Sequence, residues 1–126
     1  MNPAVVRREH ADDIPRSYTA SATHGGIVWA CGQVPRRPDG TVPRSIEEQV
    51  IVTIDNLEAV LRDAGASLAS LLKLTVFLAD LDEFDAYDAA YRARLAGAPL
   101  PPRTTVEVAR FRGGKRIEID AVAAVS

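Results

Sequence analysis

The segment best equipped for chemistry is Pro99-Leu100-Pro101-Pro102-Arg103-Thr104-Thr105. Its prolines fix the backbone φ, so Arg103 is presented from a stiff lead-in at the start of a strand, with Thr105 on the same face by the two-residue period. A preorganised guanidinium suits a carboxylate, which it grips through two parallel hydrogen bonds. An arginine after prolines is also a common form of solvated loop cation, so the segment alone leaves both readings open. Glu118, on a later strand, is either an acid-base group near that arginine or an ordinary ion-pair partner. Tyr18 either lines a cleft or only packs against a hairpin.

Other chemistries are poorly provided for. His10 and His24 fall in an N-terminal segment and a turn, with no cysteine pair and no HExxH spacing, so no built-in metal site is expected. There is no GxGxxG or GxxxxGK[ST] phosphate cradle and no GxSxG elbow. Cys31, the one cysteine, reads as a small apolar strand residue with no histidine placed to activate it. The net charge of −2, from 15 basic and 17 acidic residues, gives no pull toward nucleic acid. The basic stretch Arg110, Arg112, Lys115 and Arg116 carries only Phe111 as an aromatic and reads as a solvated turn.

These residues must be positioned by a chain of 126 residues and 13.6 kDa, 47% hydrophobic and 25% charged, the size and composition of a single domain over 1–126. A domain this long buries roughly 65% of its unfolded surface and needs no staple. The lone cysteine, and the charged Arg7, Arg8, Glu9, Asp12, Asp13 and Arg16 where a signal core would lie, point to the cytoplasm. No apolar run approaches the ~20 residues of a membrane helix.

Thr19 to Ala22 and Ile27 to Val34 flank Thr23-His24-Gly25-Gly26 and predict a hairpin, with Ile27, Trp29 and Cys31 on one face and Val28, Ala30 and Gly32 on the other. Pro35 to Pro43 is a turn-rich loop. Ile46, Val50, Ile54, Leu57, Leu61 and Ala64 recur at helical spacing, between a capping box of Ser45 with Glu48 and a left-handed stop at Gly65. Leu74, Val76 and Leu78 alternate with Thr75, Phe77 and Ala79 as a central strand. A second helix is predicted from Asp82, acting as its cap, to before Gly97, with Phe84, Tyr87, Tyr91 and Leu95 as its apolar stripe. Strands at about Thr104 to Ala109 and Ile117 to Val125, joined through Gly113-Gly114, close the chain.

This order argues an α+β mixed sheet with two helices packed on one face. Ile117, Ile119, Ala121 and Ala123 then point to the helices. The opposite face is mixed, with Phe77 and Val122 beside Glu118 and Thr105, which is awkward for a monomer and suggests assembly.

Cys31-Gly32-Gln33-Val34-Pro35, Glu48-Gln49, Leu72 to Leu78, Pro102-Arg103-Thr104-Thr105-Val106-Glu107-Val108 and Ile117 to Ala123 resemble, in order and spacing, the RidA/YjgF family of reactive enamine/imine deaminases. The resemblance runs from about Tyr18 to Ala124. It implies a chorismate-mutase-like protomer in a homotrimer, the leftover sheet faces lining a central barrel and ligand clefts lying between neighbours. It implies hydrolysis of 2-aminoacrylate-type imines, released by pyridoxal-phosphate enzymes, to a 2-keto acid and ammonia, with no cofactor. By resemblance Arg103 holds the substrate carboxylate, Glu118 positions or activates water, Tyr18 lines the cleft, and Gly32 and Thr105 supply backbone polar groups. The chain departs from the family pattern at Asp88, where asparagine is expected, at Thr105 for cysteine, at Cys31 for serine and at Leu100 for an aromatic. Asp88 either faces the substrate-binding site or is a solvated helix residue. A family member acting on a larger imine, and a non-catalytic carboxylate-binding or chaperone-like trimer, are the alternatives.

Overall fold

The apolar repeat that begins at Ile46 folds as the helix α1, Ile46–Asp63, in the computed structural model of the protein, which describes residues 4–126. Residues 1–3 of the expected 1–126 domain lie outside the described residues. Ser45 Oγ accepts the Glu48 amide at 3.1 Å and caps the helix. The second half of the expected capping box is not made: the Glu48 carboxylate accepts instead from Arg37 Nη2 at 3.2 Å. Gly65, at φ +80°, ends the helix. Ala66 N donates to Leu61 O at 2.8 Å and Gly65 N to Arg62 O at 3.1 Å, the two bonds of a Schellman stop.

Six strands form one sheet: β1 (Val6–Arg8), β2 (Ser21–His24), β3 (Ile27–Gln33), β4 (Leu71–Leu78), β5 (Arg103–Glu107) and β6 (Ile117–Ala124), in the order β1-β2-β3-β6-β4-β5. The expected hairpin is β2-β3, tightened to a two-residue Gly25-Gly26 turn with both φ positive, the geometry that matches strand twist. Strand β1, three exposed residues on the sheet edge, carries no alternating pattern and is an addition to the expected elements. The helix α2, Phe84–Arg94, crosses from β4 to β5, which makes that pair parallel. It starts two residues later than expected. Asp80, not Asp82, provides the cap, accepting the Asp82 amide at 2.8 Å at the head of a short 3₁₀ turn, Leu81–Glu83.

Val28 and Ala30 of β3, Leu74, Val76 and Leu78 of β4, and all four predicted apolar positions of β6 are buried with α1, Tyr87 and Tyr91. The mixed α+β sheet with helices on one face is therefore as expected. Its other face carries Trp29, 47% exposed, with partly buried Phe77, Val122, Glu118 and Asp120. Thr105 is not on that face. The register Leu74↔Arg103 and Val76↔Thr105 sets both residues on the helix side, because β5 follows a parallel crossover and takes its facing from β4. No helix of the described residues is long and apolar enough to cross a membrane.

Candidate active site

Arg103 enters the sheet at its open edge. Leu74 N donates to Pro102 O and Val108 N to Leu78 O, at 2.9 and 2.8 Å. The alternation between these two bonds turns the backbone N–H and C=O of Arg103 and Thr105 away from β4, toward the edge where no strand pairs with them. The guanidinium is held over the aromatic stripe of α2, its carbon 4.6 Å from the ring centroid of Tyr91, 5.1 Å from Tyr87 and 5.6 Å from Phe84. Nη1 donates to Asp88 Oδ1 at 2.7 Å, while the second Asp88 oxygen accepts from Arg92 Nε at 3.0 Å. The Arg103 hydrogen bond holds the Asp88 carboxyl below the usual carboxylate range. Asp88 and Arg103 side chains are each 21% exposed, so Asp88 is not the solvated helix residue of one sequence reading. The two border a cavity of about 230 Å³ with Tyr91, Arg92, Leu100 and Pro101. The Thr105 hydroxyl is engaged inward, 2.8 Å from Tyr87 Oη.

Glu118 lies on the opposite face of the sheet, next to Phe77 of β4. Burial, and then the neighbouring Asp120 carboxylate, push its pKa up. A half-buried carboxyl that keeps its proton to higher pH is suited to proton transfer. Gly32 is its closest constraint. A Cβ at Gly32 would stand 2.8 Å from Glu118 Cδ and closer still to Oε2. Strict alternation predicts Gly32 on the face of Val28 and Ala30; the structure turns it to the Glu118 side. The pairing shifts between Ala30↔Ala121 and Gln33↔Ile119, a bulge that adds one residue to β3.

Gly32 and Tyr18 line a larger cleft of about 670 Å³ between the N-terminal segment, the end of β3 and α1. Cys31 lines it too, as a free thiol whose pKa burial raises, and Gln33 Nε2 lies 3.3 Å from Sγ. That is the environment of a packing thiol, not a nucleophile. Among the described residues no three His, Cys, Asp or Glu side chains converge as a metal-binding group.

The site residues expected from sequence thus fall into two groups in one copy of the chain. Arg103, Thr105 and Asp88 stand at the β5 edge on the helix side. Glu118 and Gly32 meet where β6 passes the β3 bulge, and Gly32 in turn lines the N-terminal cleft with Tyr18. Strand β4 separates the two groups. Residues not assigned a role from sequence support the second group. His10 Nε2 contacts Tyr18 O at 3.0 Å, with its ring edge-on to the tyrosine at 5.1 Å, and so fixes the cleft wall. Arg16 grips Asp12 with both Nη atoms, at 2.6 and 2.9 Å, bracing the same segment. The Asp12/Arg16 spacing of four was a visible signal for this; nothing local marks His10. Asn56 Nδ2 donates to Val34 O and Arg36 O, both at 2.9 Å, and sets the exit of β3.

The profile of the family described as Endoribonuclease L-PSP matches residues 10–125. Protein mmf2, mitochondrial, of Schizosaccharomyces pombe is 40% identical over 111 residues, covering 85% of this chain and 86% of that one. The 2-iminobutanoate/2-iminopropanoate deaminase of Escherichia coli is 33% identical over 121 residues, 94% of each chain. The crystal structure of E. coli TdcF with bound serine superimposes with a TM-score of 0.84 at 30% identity, covering 95% of this chain and 94% of that one.

Proposed function

This chain belongs to the endoribonuclease L-PSP family, the RidA/YjgF family of its sequence motifs, and on that premise we propose that it is a cofactor-independent deaminase of reactive enamines and imines. Its substrates are 2-imino acids of the 2-iminopropanoate type and their enamine tautomers, and its products a 2-keto acid and ammonia. The reading is supported by the E. coli relative named for that activity and by the two groups of site residues above.

Arg103 anchors the substrate carboxylate through the donors that Asp88 leaves free. The outward-facing backbone of Thr105 lies beside the anchor, and Tyr18 and Gly32 shape the other wall. An imine carbon is already electrophilic, so the site has to orient it and handle protons. Water adds across C=N, its oxygen bonding carbon and its proton passing to the nitrogen by way of Glu118. The carbinolamine then collapses: its hydroxyl proton passes by way of Glu118 to the nitrogen, the C–N bond breaks, and ammonia leaves the keto acid behind.

The observation that carries the reading is the separation of the anchor from the proton-transfer carboxyl by β4 in a single copy. A substrate touching both needs a neighbouring chain. We therefore infer a homotrimer of single-domain protomers, with the faces that carry Trp29 and Val122 turned toward a central barrel and the site formed between copies. A cytoplasmic location belongs to the same reading, supported by the free Cys31 thiol; cell fractionation tests it against the mitochondrial name of the mmf2 relative. Activity is tested by releasing 2-aminoacrylate from threonine dehydratase with semicarbazide present. Slower semicarbazone formation in the presence of the protein supports the reading, and an unchanged rate rejects it. Sedimentation equilibrium should give three times 13.6 kDa.

A further inference from the structure

We propose that Asp88 is a specificity-determining residue, which makes the Arg103 site prefer a ligand with a positive charge beside its carboxylate over a plain anion. The inference rests on the anchor role of Arg103 given above. Asp88 Oδ1 already occupies Nη1 of the guanidinium at 2.7 Å. A ligand carboxylate on the remaining donors shares one cation with a second carboxylate, a single guanidinium's width away. Arg92 donates to the other Asp88 oxygen at 3.0 Å, but its side chain is 71% exposed, and an ion pair that open to water offsets the repulsion only in part. The aromatic rings of Phe84, Tyr87 and Tyr91 hold the guanidinium in place, so it cannot swing clear of Asp88 to meet the ligand alone.

A ligand with a protonated nitrogen on the carbon next to its carboxylate resolves the conflict. Its carboxylate meets Arg103 and its N–H meets the Asp88 oxygens. A protonated imino acid and an α-amino acid both have this form. A 2-keto acid has the same carboxylate and no nitrogen. Asp88 therefore distinguishes the substrate of the proposed reaction from its product, holding the first and favouring release of the second.

The test is calorimetric titration of the intact protein with pyruvate and with L-serine, comparing wild type, Asp88→Asn, Asp88→Ala and Arg103→Ala. Both Asp88 variants should bind pyruvate at least tenfold more tightly, about 1.4 kcal/mol, and serine no more tightly than wild type does. Asparagine is isosteric and alanine a good helix former, so each variant checks the other for a folding effect. An unchanged ratio of pyruvate to serine affinity in both Asp88 variants overturns the proposal. If Arg103→Ala then abolishes binding of both ligands, the anchor stands and only the selectivity falls. If Arg103→Ala binds both as wild type does, the anchor reading itself has failed.

Discussion

Replacing Gly32 by alanine isolates the position of one carboxylate. Gly32 does not occupy the left-handed region, so alanine can adopt its backbone conformation. The added Cβ would lie 2.8 Å from Glu118 Cδ and 3.1 Å from Cγ, so the carboxyl must rotate away while β6 stays in place. A displaced rotamer costs about 0.5–1.5 kcal/mol, and the loss of glycine freedom in the unfolded chain returns about 0.4–1 kcal/mol. The net change lies within about 1 kcal/mol, a shift in Tm of no more than ~4 °C for a chain of this length. Activity should behave otherwise. A misplaced general acid-base group forfeits roughly 10²–10⁴-fold in rate. Semicarbazone competition should therefore show Gly32→Ala at least ~100-fold slower while its melting curve is nearly unchanged. Because the variant acts through Glu118, Gly32→Ala combined with Glu118→Gln should be no slower than Glu118→Gln alone. Wild-type rates in Gly32→Ala, or fully additive losses in the double variant, would refute the link between this glycine and the carboxylate.

Arg103→Ala should weaken keto-acid binding and lower kcat/KM by ~30-fold or more, from a charge-assisted pair worth about 2–5 kcal/mol, and Arg103→Lys should recover little because an ammonium lacks the fork. Steady-state kinetics on carboxylate-bearing and carboxylate-free imines check this: the loss must be confined to the former. Gln49 is 1% exposed; its Nε2 donates to Pro43 O at 2.9 Å and Gly114 O at 3.0 Å, and its Oε1 accepts from Arg116 N at 2.8 Å. Gln49→Ala should cost about 3 kcal/mol and ~10 °C in Tm by calorimetry, a loss that rigid loops at both ends would not show. Glu118 has a raised pKa in the folded protein, so the native state holds its proton more tightly than the unfolded chain, whose ordinary value is 4.5. Stability is then lost as pH rises through and above that value. Glu118→Gln should melt higher than wild type at about pH 8, with the advantage gone at about pH 4; a pH-independent difference would contradict the assignment.

Much of the fold was legible because burial imposes a period. Four apolar residues at alternate positions fixed the facing of β6, and helical spacing fixed α1 together with its Ser45 cap and Gly65 stop. The failures occurred where no apolar period exists. Arg103 and Thr105 alternate with Thr104 and Val106, and neither set is apolar enough to declare which side meets the core. The parallel register with β4 decides that, and it depends on a crossover that composition does not encode. The β3 bulge is similar: one extra residue at Cys31-Gly32 leaves no mark in the sequence yet moves Gly32 across the sheet to Glu118. Asp88 and Arg92 were visible as a pair four apart on a helix, but the contact of Asp88 with Arg103, 15 residues away, exists only once α2 lies against β5.

The two charged groups of the proposed site, Arg103 and Glu118, are stabilised in opposite ways. Arg103 has an internal counter-ion in Asp88 and three aromatic rings beneath it, so it is held in place before any ligand arrives. Glu118 is half-buried beside another acid, Asp120, and its raised proton affinity reflects that burial first and the Asp120 charge second, which Lys115 offsets only in part. A carboxyl in that position lowers stability at neutral pH, as functional groups often do. Placing a fixed cation on one side of a sheet and a strained acid on the other has a chemical use only if a substrate can reach both. That requirement, more than the apolar character of the open face, ties the proposed reaction to assembly.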